Sequence, residues 1–109
     1  MPKFVTIGYG DRIGYERTDA TVREAAHAQD AMLRKRGASM GVAGSPVQVR
    51  NHDAKRVETT PGPYLQAPLP VAGFAIIEAA SLDEAVALIS TVPCAVAYGV
   101  VEVWPLIEG

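Results

Sequence analysis

The stretch AGFAIIEAASLDEAVALI, residues 72–89, joins the clearest strand of the chain to its clearest helix. Residues 72–79 are mostly aliphatic and aromatic, a composition typical of a β-strand. Ser81 and Glu84 then form a capping box, because each side chain can accept a hydrogen bond from an unpaired backbone N–H of the helix that begins there. Pro93 is predicted to end this helix. Its predicted buried stripe consists of Leu82, Ala85, Val86 and Ile89.

The N-terminal part of the chain has the same order of elements. Residues 3–8, KFVTIG, combine β-branched and aromatic side chains with a closing glycine, which is typical of a strand. A helix is predicted from Thr18 or Asp19 to about Arg36, and Gly37 is well placed as the residue that follows its C-cap. The N-terminal part therefore predicts a second strand-to-helix unit.

The middle of the chain and its end supply further strands. These are predicted at residues 38–44, at 47–50 and 55–59 as a hairpin around 51–54, and at 99–106. With 109 residues, the chain is long enough for one domain, and we assign residues 1–109 to it. The order predicts an α+β fold of the ferredoxin-like βαβ-hairpin-βαβ type, with both helices on one face of the sheet.

Side-chain alternation gives the predicted sheet one small aliphatic face and one mixed face. The mixed face is expected to carry Phe4, Phe74, Ile76, Glu78, Glu102 and Trp104. Left uncovered, its apolar side chains would form a patch on the order of several hundred Å², more than a monomer usually exposes. We therefore expect a homodimer in which two sheets face each other around a cavity.

Composition excludes several classes of function. The net charge is −2 without a basic block, which argues against a nucleic-acid surface and a polybasic membrane patch. No stretch approaches the roughly 18 apolar residues of a membrane span. The lone cysteine, Cys94, forms no internal disulfide and is expected to be a buried small hydrophobe rather than a nucleophile. We expect a cytoplasmic protein.

Two ionisable residues near the N-terminus are candidates for acid–base chemistry. Asp11 follows the first strand and is either a general base or a surface carboxylate paired with Arg12. His27 lies nearly opposite the apolar stripe of its helix and is either solvated or a proton shuttle. It would contribute only if the loop predicted at residues 9–17 folds over that face. No metal is expected, since His27 and His52 lie on separate elements.

Glu102 is the third candidate catalytic group. Either its carboxylate lies inside a half-apolar barrel and has a raised proton affinity, or it reaches water at a strand end or pairs with a cation of the other subunit. Tyr9 and Tyr64 are expected to bind substrate by donating hydrogen bonds to a developing oxyanion. Phe74 and Trp104 would supply apolar walls. Tyr64 lies in a proline-rich loop, residues 61–70, which is either a rigid rim of the cavity or a stiff connector.

Three stretches, in the right order, resemble the YCII-related family and in particular its DGPF-type branch. They are KFVTIGYGD (3–11), TTPGPY (59–64) followed by GFAIIEAASLDEAVALI (73–89), and VPCAVAYGVVEVWPL (92–106). The resemblance covers nearly the whole chain and implies a dimeric α+β barrel. The chain departs from the pattern at Pro61 and Val92, where the family carries aspartates, and at Gln66 and Pro68, where it usually carries Glu and Lys.

Two classes of function remain open. One is a cofactor-free enzyme that moves protons on a small aromatic or carbonyl-bearing ligand in the cavity of the dimer, as an isomerase, lyase, cyclase or dehydrohalogenase does. The other is a non-catalytic ligand-binding or assembly module, which the lost acidic residues favour. An enclosed pocket with a titratable group inside would distinguish the enzyme from the binding module.

Overall fold

The computed structural model describes residues 1–108, which form an α+β fold with a mostly antiparallel sheet. The strands are β1 (Lys3–Tyr9), β2 (Ser39–Val42), β3 (Val47–Arg50), β4 (Glu58–Pro61), β5 (Val71–Glu78) and β6 (Val100–Leu106). The helices are α1 (Arg12–Arg17), α2 (Ala20–Lys35), α3 (Leu82–Ile89) and α4 (Pro93–Val96), with a 3-10 turn at His52–Ala54. None of the described helices is both long and apolar enough to span a bilayer.

The main sheet has four strands in the order β2-β5-β1-β6. Every neighbouring pair in it is antiparallel. β3 and β4 pair only with each other, as a separate two-stranded sheet. The predicted strands therefore all form, with ends that shift by up to three residues.

The core lies between the helices and one face of the main sheet, called here the inner face. Its buried residues are Phe4, Leu33, Ile77, Ala79, Ala85, Ile89 and Val92. The expectation that Phe4 lies on the opposite face is wrong, because Phe4 pairs across the sheet with Ile77 and is 3% exposed. The first strand is apolar on both sides, so alternation alone did not fix its orientation.

The opposite face of the sheet, called here the open face, carries the exposed Phe74, Ile76 and Trp104, as expected. Val5 and Ile7 complete it, since they pair with Ile76 and Phe74 across β1 and β5. Trp104 pairs with Val5 from the other side. An apolar band thus runs across three neighbouring strands of this face.

The helix starts follow the sequence in part. Gly37 takes a positive φ of 101° directly after α2, as predicted for a C′ glycine. The predicted loop at residues 9–17 instead contains α1, whose first turn is capped by Asp11. α3 ends at Ile89, before the predicted end at Pro93, and Pro93 instead begins α4, where its missing N–H costs no helical hydrogen bond.

The capping box at the start of α3 is present. The Glu84 N–H donates to Ser81 Oγ at 3.1 Å, and the Ala80 N–H donates to Glu84 Oε2 at 3.3 Å. A Ser81→Ala substitution is expected to lower the free energy of unfolding by about 1 kcal/mol, because one helical N–H loses its acceptor. Urea denaturation measures this, and Ser90→Ala at the other end of α3 is the matched control. An equal loss in both variants would contradict the capping role.

Candidate functional site

The predicted site residues lie in three separate places. Tyr9, Glu102, Phe74 and Trp104 lie together on the open face of the sheet. Asp11 and His27 lie on the helical side of the molecule. Tyr64 lies in the loop after β4, where it is 78% exposed and stacks beneath the Arg50 guanidinium at 5.8 Å. The structure therefore divides the expected single site.

On the open face, Tyr9 and Glu102 form a hydrogen-bonded pair. The Tyr9 hydroxyl donates to Glu102 Oε1 at 2.7 Å, between neighbouring strands β1 and β6. This hydrogen bond raises the pKa of Tyr9, and partial burial and the negative charge of Glu102 raise it further. The phenol is therefore held protonated with its one O–H donated to Glu102, so the pair presents acceptor oxygens within an apolar surface.

Asp11 has a defined structural task. Its Oδ1 accepts a hydrogen bond from the Gly14 N–H at 2.9 Å, which caps α1. The alternative partner considered for Asp11, Arg12, instead pairs with Glu16 at 2.8 Å. The local contacts of Asp11 thus serve the start of a helix rather than a proton-transfer site.

His27 meets the condition that was set for it. α1, within residues 9–17, packs against the histidine face of α2 and places the Tyr15 hydroxyl 2.7 Å from His27 Nε2. The Arg23 guanidinium lies 5.0 Å from the centre of the Tyr15 ring. The histidine side chain is exposed, and the Tyr15 hydroxyl on a second helix fixes its position.

A cavity of about 260 Å³, which is open to solvent and not enclosed, lies beside His27, between α2, α4 and the inner face of the sheet. Its walls are mostly apolar and include Leu33, Met40, Ile89, Val92 and Val101. Its polar lining comes from Thr6, His27, Asp30, Arg34 and Cys94. Such a pocket, with few polar groups in an apolar wall, is the usual form of a small-molecule site.

Asp30 is the residue that the sequence analysis missed. Partial burial raises the pKa of this carboxyl, and the positive charges of Arg34 and His27 offset part of the effect. Its spacing from His27, three residues along one helix, is the signal that was available. The cavity therefore holds a carboxyl group that binds its proton more tightly than an ordinary aspartate.

Cys94 also lines the cavity, from the first turn of α4. Burial raises the pKa of its thiol, and the nearby charge of Asp30 raises it further. A thiol that holds its proton is a poor nucleophile. Cys94 is thus a half-buried wall of the cavity, close to the small hydrophobe that was expected.

The described residues offer no cluster of metal ligands. Within residues 1–108, no three or more His, Cys, Asp or Glu side chains are grouped so that they could hold a metal ion.

Comparison of the chain with models of known protein families gives no match. A search among curated proteins gives no significant match either. The functional assignment therefore rests on the geometry of the cavity and of the open face.

Proposed function

We propose that the chain is a cofactor-free enzyme that moves protons on a small, mostly apolar ligand bound in the cavity between α2, α4 and the sheet. The observation that carries this proposal is the position of Asp30, a carboxyl of raised pKa, in a cavity of about 260 Å³. A general acid–base catalyst needs a pKa moved toward the working pH and a place beside the substrate. Asp30 supplies both.

Side chains around the cavity can carry out each step of the proton transfer. Asp30 removes a proton from a carbon next to the ligand's carbonyl group, and His27, held by Tyr15, returns a proton at a second position. The proton count balances without an oxidant or a cofactor, so the net change is an isomerisation. The Thr6 hydroxyl, on a residue that is 3% exposed, can hydrogen-bond the carbonyl.

The fold supports the resemblance to the YCII-related family. The strand order β2-β5-β1-β6, with the helices packed on one face, agrees with a ferredoxin-like arrangement. Val92 stands where the family carries an aspartate, and it lines the same cavity that Asp30 reaches from α2. A carboxylate thus serves this cavity from another element, which supports catalysis despite the family's lost acids.

We further propose that the chain forms a homodimer through its open face, as in a dimeric α+β barrel. The apolar band formed by Phe74, Ile76 and Trp104 supports this, because side chains of this size are seldom left together in solvent. The Tyr9–Glu102 pair favours a second candidate site, in the hollow that two facing sheets would enclose. There its acceptor oxygens would bind a ligand that donates hydrogen bonds.

The proposed function is tested by solvent exchange on a bound ligand. A thermal-shift screen of small aromatic and carbonyl compounds first identifies a ligand whose stabilising effect is lost in the cavity-filling variant Ala75→Leu. The equivalent change outside the cavity, Ala28→Leu, serves as control. NMR then follows deuterium uptake from solvent at the carbon beside the ligand's carbonyl group.

An Asp30→Asn variant is expected to lower the exchange rate about 100-fold or more while binding changes by less than threefold, because only proton transfer needs the carboxylate. Because burial raises the pKa of Asp30, exchange in the wild type should rise with pH through a midpoint above that of an ordinary carboxyl. Glu24→Gln, at an exposed position on α2, should leave the rate unchanged. Binding without exchange in the wild type would instead favour the non-catalytic module.

A further inference from the structure

The hairpin of β3 and β4 and the loop that follows it stand apart from the main sheet, and residues 46–66 are called here the arm. The radius of gyration is 15.8 Å, against about 13 Å for a compact chain of this length. The longest dimension is 52 Å, against 20 Å for the shortest. The arm is therefore an extension of the body and not a loop folded onto it.

The apolar face of the arm is exposed and its polar face is half-buried, which is the reverse of the usual arrangement. Val47 and Val49 lie on one face of β3 and are 60% and 68% exposed. Gln48 and Arg50, on the opposite face, are half-buried. In a monomer the valines would be covered and the polar residues exposed.

The loop after β4 causes this inversion. The Gln48 amide donates to the Gly62 carbonyl oxygen at 3.1 Å, and the Arg50 guanidinium lies 5.8 Å from the centre of the Tyr64 ring. The loop thus folds over the polar face of the arm and leaves the valine face bare. Cross-strand partners extend the valine face with Pro61 and Thr59. A two-stranded hairpin is at best marginally stable alone, so this bare face calls for a partner.

We propose that the valine face of the arm docks on a second copy of this chain, where it extends the open-face interface. The inference rests on the proposed dimer. The arm leaves the sheet from β2 and returns into β5, two neighbouring strands of the main sheet. The hydrogen bonds from Gly10 N–H to Pro70 O and from Ala43 N–H to Ala72 O fix its base there. The arm therefore emerges from the ends of two strands that also form the open face.

The area of the open face favours a second copy as the occupant. The four strands have 4, 8, 7 and 7 residues, and at about 3.3 Å per residue and 4.8 Å between strands the sheet has a flat footprint of roughly 410 Å². A stable interface covers roughly 800 Å² on each partner. The sheet alone falls short of that area, and an arm from each copy supplies the remainder.

The charges of the arm and of the rest of the chain also favour a second copy as the occupant. The arm carries Arg50, Lys55 and Arg56 against Asp53 and Glu58, while the chain as a whole has a net charge of −2. The arm therefore has a net charge of +1 and the rest of the chain a net charge of −3. The open face bears Glu78 and Glu102, with Lys3 opposite Glu78. These opposite net charges attract the arm to the body of a second copy.

The first test separates the arm from the sheet. A Val47→Glu/Val49→Glu double variant is expected to weaken dimerisation at least tenfold, measured by sedimentation of a dilution series. Thr60→Glu adds one such charge to the polar face of the arm and should change the dimer constant less than threefold. Circular dichroism checks that each variant is folded. An equal dimer constant for the wild type and the valine variant would overturn the arm contact, while dissociation by Ile76→Glu would still support the open-face dimer.

The second test locates the arm. Val49→Cys in a Cys94→Ala background is labelled with a maleimide photocrosslinker, and nitrogen-15 and unlabelled chains are mixed before irradiation. Crosslinks between heavy and light chains are expected, with the open face or its rim as the site of attachment. Crosslinks confined within one chain would overturn the proposal, as would a monomeric wild type at every concentration. The solvent-exchange test of the cavity is independent of both results.

Discussion

An Ile76→Glu variant is expected to be monomeric at concentrations at which the wild type is dimeric, with a dissociation constant at least 100-fold higher. Ile76 lies on β5 in the middle of the open face, opposite Val5 on β1 and Ser39 on β2. In the proposed dimer this position is covered by the second copy. A carboxylate placed there loses its water without gaining a cation, which costs several kcal/mol.

Light scattering and sedimentation of a dilution series measure this effect. Val86→Glu is the matched control, because Val86 is 52% exposed on α3 and Ile76 is 46% exposed on the sheet. Trp104→Ala should weaken the dimer more mildly, since it removes apolar area without adding a charge. If both glutamate variants dissociate the dimer, the cause is a general loss of folding. If neither does, a dimer formed through the open face is contradicted.

The strands and the capping box were predictable because local chemistry decides them. Ser81 caps α3 through a contact three residues away, and Gly37 ends α2 because its φ is positive. The two faces of β5 were also assigned correctly, since Phe74, Ile76 and Glu78 alternate with the uniformly aliphatic Ala75, Ile77 and Ala79. Neighbouring residues alone carry these features.

The orientation of β1 and the existence of α1 depend on contacts far along the chain. Both faces of β1 are composed of strand-forming residues, so the packing of Phe4 in the core decided between them. α1 contains Gly14, a poor helix former, at a site where a Cβ would lie 2.5 Å from the Ala97 carbonyl oxygen. Tertiary packing therefore selected glycine there, against its local propensity.

Of the two proposed acid–base residues, the sequence predicted His27 but not Asp30. His27 was identified with the condition that residues 9–17 fold onto it, and Tyr15 meets that condition. Asp30 was missed because helical periodicity placed it on the polar side of α2. Its partial burial comes from the packing of α4, which brings Cys94 to the same cavity from more than sixty residues away. Only the three-dimensional structure supplies that contact.

A Gly99→Ala substitution is expected to lower the free energy of unfolding by about 3 kcal/mol, the upper range for overpacking a tight site. A Cβ at this position would lie 2.2 Å from the Tyr9 carbonyl oxygen and 2.6 Å from the Cys94 carbonyl oxygen. Both atoms belong to backbone, so neither can rotate away as a side chain would. Relief requires β1 or α4 to shift, and both border the cavity.

Urea denaturation measures the loss, and Gly44→Ala is the matched control because a Cβ there would meet no atom within 4 Å. The control should stay within about 1 kcal/mol of the wild type. A domain of this size is stabilised by about 5–15 kcal/mol in total, so the expected loss is large enough to resolve. Similar stabilities for the two alanine variants would mean that the approach of Tyr9, Cys94 and Gly99 is looser than the structure has it. Because the same shift moves Tyr9 relative to Glu102, Gly99→Ala should also disturb the hydrogen bond on the open face.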